Sequence, residues 1–127
     1  GLKMNDIFRY TMDHYKEEIS LEQISAVAHL APQSFCRYFK KHSSKTYTQF
    51  LNELRVNEAC KRLIEKKYVS IGEIARQCGF NSVISFNRVF KSIVSATPRD
   101  YIKMHEKKLP HSYFNRQNGM VKLITSH

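Results

Sequence analysis

The sequence predicts an all-α protein with two helix-turn-helix subdomains joined by a long linker helix. Three observations predict this fold: a helix-turn-helix pattern at 70–91, a second copy about fifty residues upstream, and an amphipathic stretch between them. We place the first subdomain at 4–45, the linker helix at 46–67, the second subdomain at 68–107 and a C-terminal tail at 108–127. From residue 109 helical periodicity fails, so we expect this tail to be poorly ordered or to dock as a short element.

The pattern at 70–91 reads as a short helix, a tight turn and a second helix. Ser70 and Glu73 have capping-box spacing, which predicts a helix start. Gly79 supplies the backbone freedom that a sharp helix end requires, and Asn81 or Ser82 can cap the next helix. We expect the apolar residues to face the core, namely Ile71, Ile74, Ala75, Cys78, Phe86, Val89 and Phe90. Two short helices joined by a glycine turn are typical of the helix-turn-helix motif.

The segment that begins at Ser20 repeats this pattern. Ser20 matches Ser70 at an offset of 50, and after the turn the offset becomes 51, so that Arg37 matches Arg88. In both copies the arginine lies between two phenylalanines. Self-similarity of this kind indicates a duplicated unit, and two copies indicate two subdomains rather than a solenoid.

Further helices surround the two copies. We expect a first helix over 4–18, with Ile7, Phe8, Met12 and Tyr15 near one face. The first copy comprises a helix over 21–28, a turn at 29–31 and a recognition helix over 32–42 that Pro32 can open. The linker helix has an apolar face of Tyr47, Phe50, Leu51, Leu54, Ala59, Leu63 and Ile64. Thr97 and Pro98 open a last short helix that ends near residue 107, with Tyr101 packed under the second copy.

The net charge indicates a polyanionic partner. Lys and Arg number 21 against 11 Asp and Glu, which gives a formal charge of +10. Nucleic acid is the commonest partner of so basic a small domain, and the doubled motif favours duplex DNA. The alternative is a basic helical module that docks an acidic protein partner.

Several other classes of function are disfavoured. No apolar run is long enough to span a membrane and no signal peptide is visible, so we expect a cytoplasmic protein. Three cysteines without Cys-x-x-Cys spacing and six scattered histidines predict neither a metal site nor a disulfide framework. Since no phosphate loop or nucleophile elbow occurs, we expect neither a cofactor nor an enzymatic activity. Gly1 without a preceding Met suggests a cloning remnant or an excised fragment.

Outward-facing polar residues on the two second helices are the candidate DNA contacts. Gln33, Ser34 and Arg37 are left exposed on the first, where Gln and Arg can read adenine and guanine edges. Cys36 either faces the groove or packs. As structural residues, Arg37 and Arg88 would cap helices or pair with acids such as Glu22 or Glu73. We expect phosphate contacts from Lys40, Lys41, Lys45, Asn81, Ser82 and Lys91. The phenylalanines of both copies fit core packing better than a stacking platform for single strands.

These motifs resemble a known family. Gly79-Phe-Asn-Ser-x-x-x-Phe-Asn-Arg-Val-Phe-Lys, followed by Thr97-Pro-x-x-Tyr101, is similar to the signature of AraC/XylS-type bacterial transcription regulators. The first copy and the linker segment also match, so the resemblance covers about 5–103. It implies a promoter-binding domain, preceded by a sensor or dimerisation domain, that helps to position RNA polymerase. By position, the family's base contacts fall on Gln33, Cys36, Arg37, Val83, Ile84, Asn87 and Arg88.

Three departures from the family pattern affect the expected site. Ser95 replaces a usual glycine, so the backbone there is either ordinary or slightly strained. Ile102 replaces a usual arginine, so a salt bridge or a phosphate contact is lost. Val83 and Ile84 are apolar where polar residues are common; they either contact thymine methyls or indicate that the second unit binds mostly through the DNA backbone.

Overall fold

The computed structural model describes residues 2–65 and 69–108. It contains seven α-helices: α1 (Leu2–His14), α2 (Leu21–Val27), α3 (Pro32–Ser43), α4 (Tyr47–Glu65), α5 (Ile71–Gln77), α6 (Val83–Val94) and α7 (Pro98–Lys108). Within those two ranges all regular structure is helical, which confirms the predicted fold class. None of these helices combines the length and the apolar character that crossing a membrane would require.

Two separate hydrophobic cores lie at the two ends of α4. The first contains Met4, Ile7, Ile24, Ala28, Phe35 and Phe39, against which Tyr47 and Phe50 of α4 pack. The second contains Val56, Ala59 and Leu63 of α4 together with Ile74, Ala75, Cys78, Phe80, Phe86, Val89 and Phe90. Tyr101 of α7 packs edge-on against Phe90, as expected from the sequence. The N-terminal part of α4 therefore packs in the first core, and its C-terminal part packs in the second.

Side-chain caps fix where the short helices begin. Ser20 accepts a hydrogen bond from the amide of Gln23, whose side chain accepts one from the Ser20 amide, so the box at α2 is complete. Ser70 accepts one from the Glu73 amide, but the Glu73 carboxylate pairs with Arg76 instead of returning to Ser70. The predicted box at α5 is therefore only half formed. The side chains of Thr46, Ser82 and Thr97 cap α4, α6 and α7.

The first helix is shorter than the sequence predicts. It ends at His14, whereas the pattern predicts a helix to residue 18. Two carbonyl groups beyond its end, those of Tyr15 and Glu17, accept hydrogen bonds from the Arg55 guanidinium of α4, each at 2.8 Å. This partner, about forty residues away in sequence, satisfies the groups that a longer helix would have used.

The buried face of α1 also differs from the prediction. Met12 was expected on the inner face but is 53% exposed, whereas Thr11 is fully buried. The Thr11 hydroxyl lies 2.8 Å from the Ile7 carbonyl, to which it donates, and 2.7 Å from the Tyr47 hydroxyl. Both hydrogen-bond partners lie at the first core, so the buried Thr11 hydroxyl is satisfied. The threonine can therefore take the place of an apolar residue there.

Both recognition-type helices, α3 and α6, end in a left-handed residue. Ser44 and Ser95 have φ values of 67° and 66° and follow α3 and α6 at equivalent positions. Of the two alternatives for Ser95, the strained backbone is therefore the one observed. The last helix extends to Lys108, and the expected tail beyond it lies outside the described residues, as do the final residues of the expected linker helix.

Candidate nucleic-acid interface

The outer face of α3 carries most of the expected contacts of the first unit. Phe35 and Phe39 are fully buried and hold the helix on its core. Because residues one or two positions from these anchors point elsewhere on a helix, Gln33 and Arg37 are exposed. Cys36 is also exposed, so it does not pack. Ser34 is half-buried, and Lys40 and Lys41 are exposed.

Arg37 has only a weak neighbour on its own helix. Its Nη2 atom donates a long hydrogen bond of 3.5 Å to Ser34 Oγ. Within the described ranges, the ion pairs do not include Arg37 or Glu22, so the alternative pairing between them is not observed. An exposed guanidinium held at one contact keeps its remaining donors for an external acceptor.

The outer face of α6 is the equivalent surface of the second unit and is more apolar. Phe86 and Phe90 anchor the helix, while Asn87 and Arg88 are exposed. Val83 is 43% exposed and Ile84 is 81% exposed. Isolated surface isoleucines are common, but this one lies beside the exposed Val83 in the first turn of α6, so the two form an apolar edge next to Asn87 and Arg88.

Arg88 is not engaged by the acid that could have held it. The Glu73 carboxylate binds Arg76 and Gln77, and the Arg76 hydrogen bonds are the main reason why the pKa of Glu73 lies below its usual value. In the part of the chain that the structure describes, Arg88 has no salt bridge. The second arginine is therefore exposed, like the first.

The expected phosphate contacts differ in how free their charges are. Lys40, Lys41 and Lys91 are exposed, and Asn81 is exposed before α6. Lys45 instead forms an ion pair with Glu53 of α4 at 2.5 Å, which partly neutralises it. The exposed Ser82 uses its hydroxyl to cap α6, accepting from the Ser85 amide at 3.1 Å.

The phenylalanines of both copies belong to the cores. Phe35, Phe39, Phe86 and Phe90 all have side chains with 0% exposure. Bases of a single strand cannot stack on rings that are wholly covered, so these residues position the two helices and do not form a stacking platform.

One residue near the site was not marked by the sequence patterns. Arg55 lies in the middle of α4, and its half-buried guanidinium binds the carbonyls that follow α1. Burial is the main reason why the pKa of Arg55 is lower than usual. The only sign of this role in the local sequence is that Arg55 stands between Leu54 and Val56, which are respectively partly buried and buried on an amphipathic helix. Among the described residues, no cluster of His, Cys, Asp and Glu could hold a metal ion.

Comparison with known proteins identifies the family of this chain. A family model described as a helix-turn-helix domain matches residues 24–104. The chain is 30% identical over 103 residues to YdeC, an uncharacterized HTH-type transcriptional regulator of Bacillus subtilis, covering 81% of this chain and 35% of that protein. It is 31% identical over 98 residues to the HTH-type transcriptional activator RhaS of an Enterobacter species, covering 77% of this chain and 35% of RhaS. The chain thus spans about a third of the length of these relatives.

A solved structure shares the fold. The DNA-binding domain of the global transcriptional factor AdpA, crystallised with a target DNA, superposes with a TM-score of 0.77. At 23% identity the match covers 84% of this chain and 96% of that domain. At this identity the likeness establishes the fold, and the family model establishes the membership. The chain belongs to the helix-turn-helix family of DNA-binding domains found in AraC-type transcription regulators.

Proposed function

We propose that this domain binds promoter DNA sequence-specifically by placing α3 and α6 in successive major grooves. The observation that carries the proposal is the duplicated arrangement of Arg37 and Arg88. Each arginine is exposed between two buried phenylalanines of a helix that follows a tight turn. The buried rings fix the helix, and the free guanidinium can make two hydrogen bonds to one guanine.

The candidate contact residues divide into two classes. Base contacts come from Gln33, Ser34, Cys36, Arg37, Val83, Ile84, Asn87 and Arg88. Phosphate contacts come from Lys40, Lys41, Lys45, Asn81, Ser82 and Lys91. The first unit carries more free positive charge, because the exposed Lys40 and Lys41 follow Arg37, whereas only Lys91 follows Arg88 on α6. The second unit offers an apolar edge, which suits thymine methyl groups.

The linker helix supports simultaneous binding of both units. α4 has 19 residues, which corresponds to about 28 Å of helix. Successive major grooves on one face of DNA are about 34 Å apart. Because each end of α4 is part of one core, the helix can act as a stiff spacer between the two readers.

We propose that the domain is the DNA-binding part of a longer regulator. The division into subdomains at 4–45 and 68–107 about a linker at 46–67 agrees with the two cores. A sensor or dimerisation domain would supply the signal, and the bound domain would recruit or position RNA polymerase. This matches the small share of its relatives' length that the chain spans.

Selection of bound duplexes from a random pool, followed by salt-titrated gel shifts, tests the function. A selected duplex should bind about 10³-fold or more tightly than its scrambled version at physiological salt. Lys41→Ala should weaken binding to both duplexes and reduce the slope of log affinity against log salt by about 1. Lys61→Ala, which removes a lysine of α4 paired with Glu58, should leave that slope nearly unchanged.

The alternative function predicts a different result. If no duplex is preferred over its scrambled version at any salt concentration, the proposal of sequence-specific DNA binding is wrong. The net charge of +10 would then favour a module that docks an acidic protein partner.

A further inference from the structure

The two units meet at a half-buried junction built around Arg55. Its Nε atom donates to the Tyr15 carbonyl and its Nη2 atom to the Glu17 carbonyl, each at 2.8 Å. Both carbonyls follow α1, which packs in the first core. A further hydrogen bond joins the same segment to α4: the Tyr15 hydroxyl donates to Glu58 Oε1 at 3.3 Å. The end of α1 is thus fixed to the middle of α4.

The turn of the second unit lies directly against this junction. A Cβ atom added to Gly79 would lie 2.3 Å from the Tyr15 carbonyl oxygen and 2.8 Å from Arg55 Nε. Gly79 also has a φ of 97°. The turn that leads into α6 therefore packs by its bare backbone against the end of α1 and the guanidinium of Arg55. This is a direct contact between the first unit and the second.

The charge of Arg55 suits this position. The guanidinium lies just beyond the C-terminus of α1, where the last carbonyls leave a partial negative charge. It presents two donors in a planar fork, so one side chain can hold two carbonyls of the first unit at a fixed distance from the second turn. A lysine has the charge but lacks the fork.

The duplication shows that this contact is specific to one turn. His29 occupies the position of Gly79 in the first unit, and its side chain is exposed. The first turn therefore has room for an imidazole where the second has no room for a methyl group. The Gly79 side of the second turn is thus a place where the two units touch.

We propose that Arg55 is a positioning residue that fixes the orientation of the second recognition helix relative to the first. On this basis, it sets the spacing of half-sites that the domain accepts. The inference rests on the proposed two-helix binding for its effect on DNA, but the orientation itself can be measured without DNA.

The first experiment measures the orientation in the free protein. Spin labels are placed on the exposed Cys36 of α3 and on Asn87→Cys of α6, with Cys60→Ala to prevent labelling of the half-buried thiol. Double electron–electron resonance then gives the distribution of distances between α3 and α6. Arg55→Ala should shift or broaden this distribution, and Arg55→Lys should do so too while keeping the charge.

The matched control is Arg62→Ala. Arg62 lies on the same helix and donates to the Gln77 side chain of α5 at 2.8 Å, a hydrogen bond that does not involve the carbonyls after α1. Its loss should leave the distance distribution unchanged. Circular dichroism identifies the variants that remain folded, and if Arg55→Ala does not fold, Arg55→Lys carries the test.

The second experiment measures spacing discrimination on DNA. One base pair is inserted or deleted between the half-sites of a selected duplex, which rotates one half-site by about 35° relative to the other. The wild type should lose about tenfold in affinity, because a rigid pair of readers cannot engage both half-sites at once. Arg55→Ala should lose only about threefold, and Arg62→Ala should lose as much as the wild type.

Separate outcomes overturn the inference and the proposed function. An unchanged distance distribution in folded Arg55 variants overturns the positioning role, whatever the DNA result. An equal loss of affinity at all spacings in Arg55→Ala also overturns it, since the residue would then be merely structural. If the distribution changes but the wild type prefers no duplex, the positioning role in the protein stands and the proposed function fails.

Discussion

His29 and Gly79 occupy the same position in the two turns, and both have a left-handed backbone, with φ values of 58° and 97°. Glycine adopts this conformation freely, whereas a residue with a Cβ atom is strained by it. The histidine is exposed, but Gly79 lies against Tyr15 and Arg55. The same backbone therefore has two different environments in the two copies.

We expect His29→Gly to raise the free energy of unfolding by roughly 0.5 kcal/mol. The relieved strain of about 1 kcal/mol is partly offset by the greater entropy of glycine in the unfolded chain. Urea denaturation followed by circular dichroism measures the change.

Gly79→Ala should instead lower the free energy of unfolding by about 2 kcal/mol or more. Its Cβ atom would add a clash with the Tyr15 carbonyl to the strain at positive φ. If His29→Ala and Gly79→Ala changed the free energy of unfolding equally, the difference between the two turns would be contradicted.

Arg37→Ala should cost about 1–3 kcal/mol of binding free energy on a selected duplex and should relax discrimination at one base step. The reason is that Arg37 is exposed on α3 and has only the 3.5 Å contact with Ser34. Competition gel shifts with each base substitution measure the effect. Arg9→Ala removes an exposed arginine of α1 that pairs with Asp6 and should leave base preference unaltered. Direct readout by Arg37 is refuted if its variant keeps the wild-type preference.

Ile84→Ala should reduce affinity only where its half-site contains a thymine. Ile84 is 81% exposed at the start of α6, where it can cover a thymine methyl group. Replacing that thymine by uracil should cost the wild type about 0.8 kcal/mol and should cost Ile84→Ala almost nothing. If uracil and thymine duplexes bind the wild type equally, the second unit binds through the DNA backbone.

The stability of the domain should fall at high pH, partly through Tyr101. Burial, followed by a hydrogen bond to Cys60, raises the pKa of Tyr101 from 10.0 to about 12. The folded state then holds the phenolic proton more tightly than the unfolded state does. Its contribution to stability is complete below pH 10 and is lost as the pH rises toward about 12.

Tyr101→Phe removes this contribution. The variant should start from a lower free energy of unfolding, because the hydrogen bond is gone, and should decline less steeply between pH 10 and about 12. Some decline remains, since burial also raises the pKa of Tyr15 and Tyr47. Identical slopes in the variant and the wild type would contradict the role of Tyr101.

Local patterns predict most of the fold. The caps at Ser20, Ser70 and Ser82, the turn at Gly79 and the buried phenylalanines depend on neighbours within a few residues, so the sequence shows them directly. The exposed positions of α3 and α6 follow from helical spacing about those phenylalanines. Their contacts with DNA stay predictions.

Contacts between distant segments could not be predicted in this way. The end of α1 at His14 depends on Arg55, about forty residues away. The burial of Thr11 in place of Met12 depends on the Tyr47 hydroxyl, and polarity alone would place that threonine outside. One local contact was also missed, since Arg76, three residues further along α5, competes with the capping box for the Glu73 carboxylate.

Hydroxyl-radical footprinting on a selected duplex tests most directly whether both recognition helices read one double helix. The wild type should protect two segments about one helical turn, or 10 base pairs, apart on the same face. Arg37→Ala should weaken protection mainly in one segment and Arg88→Ala mainly in the other. A single protected segment, or equal loss of both segments in either variant, would contradict the account.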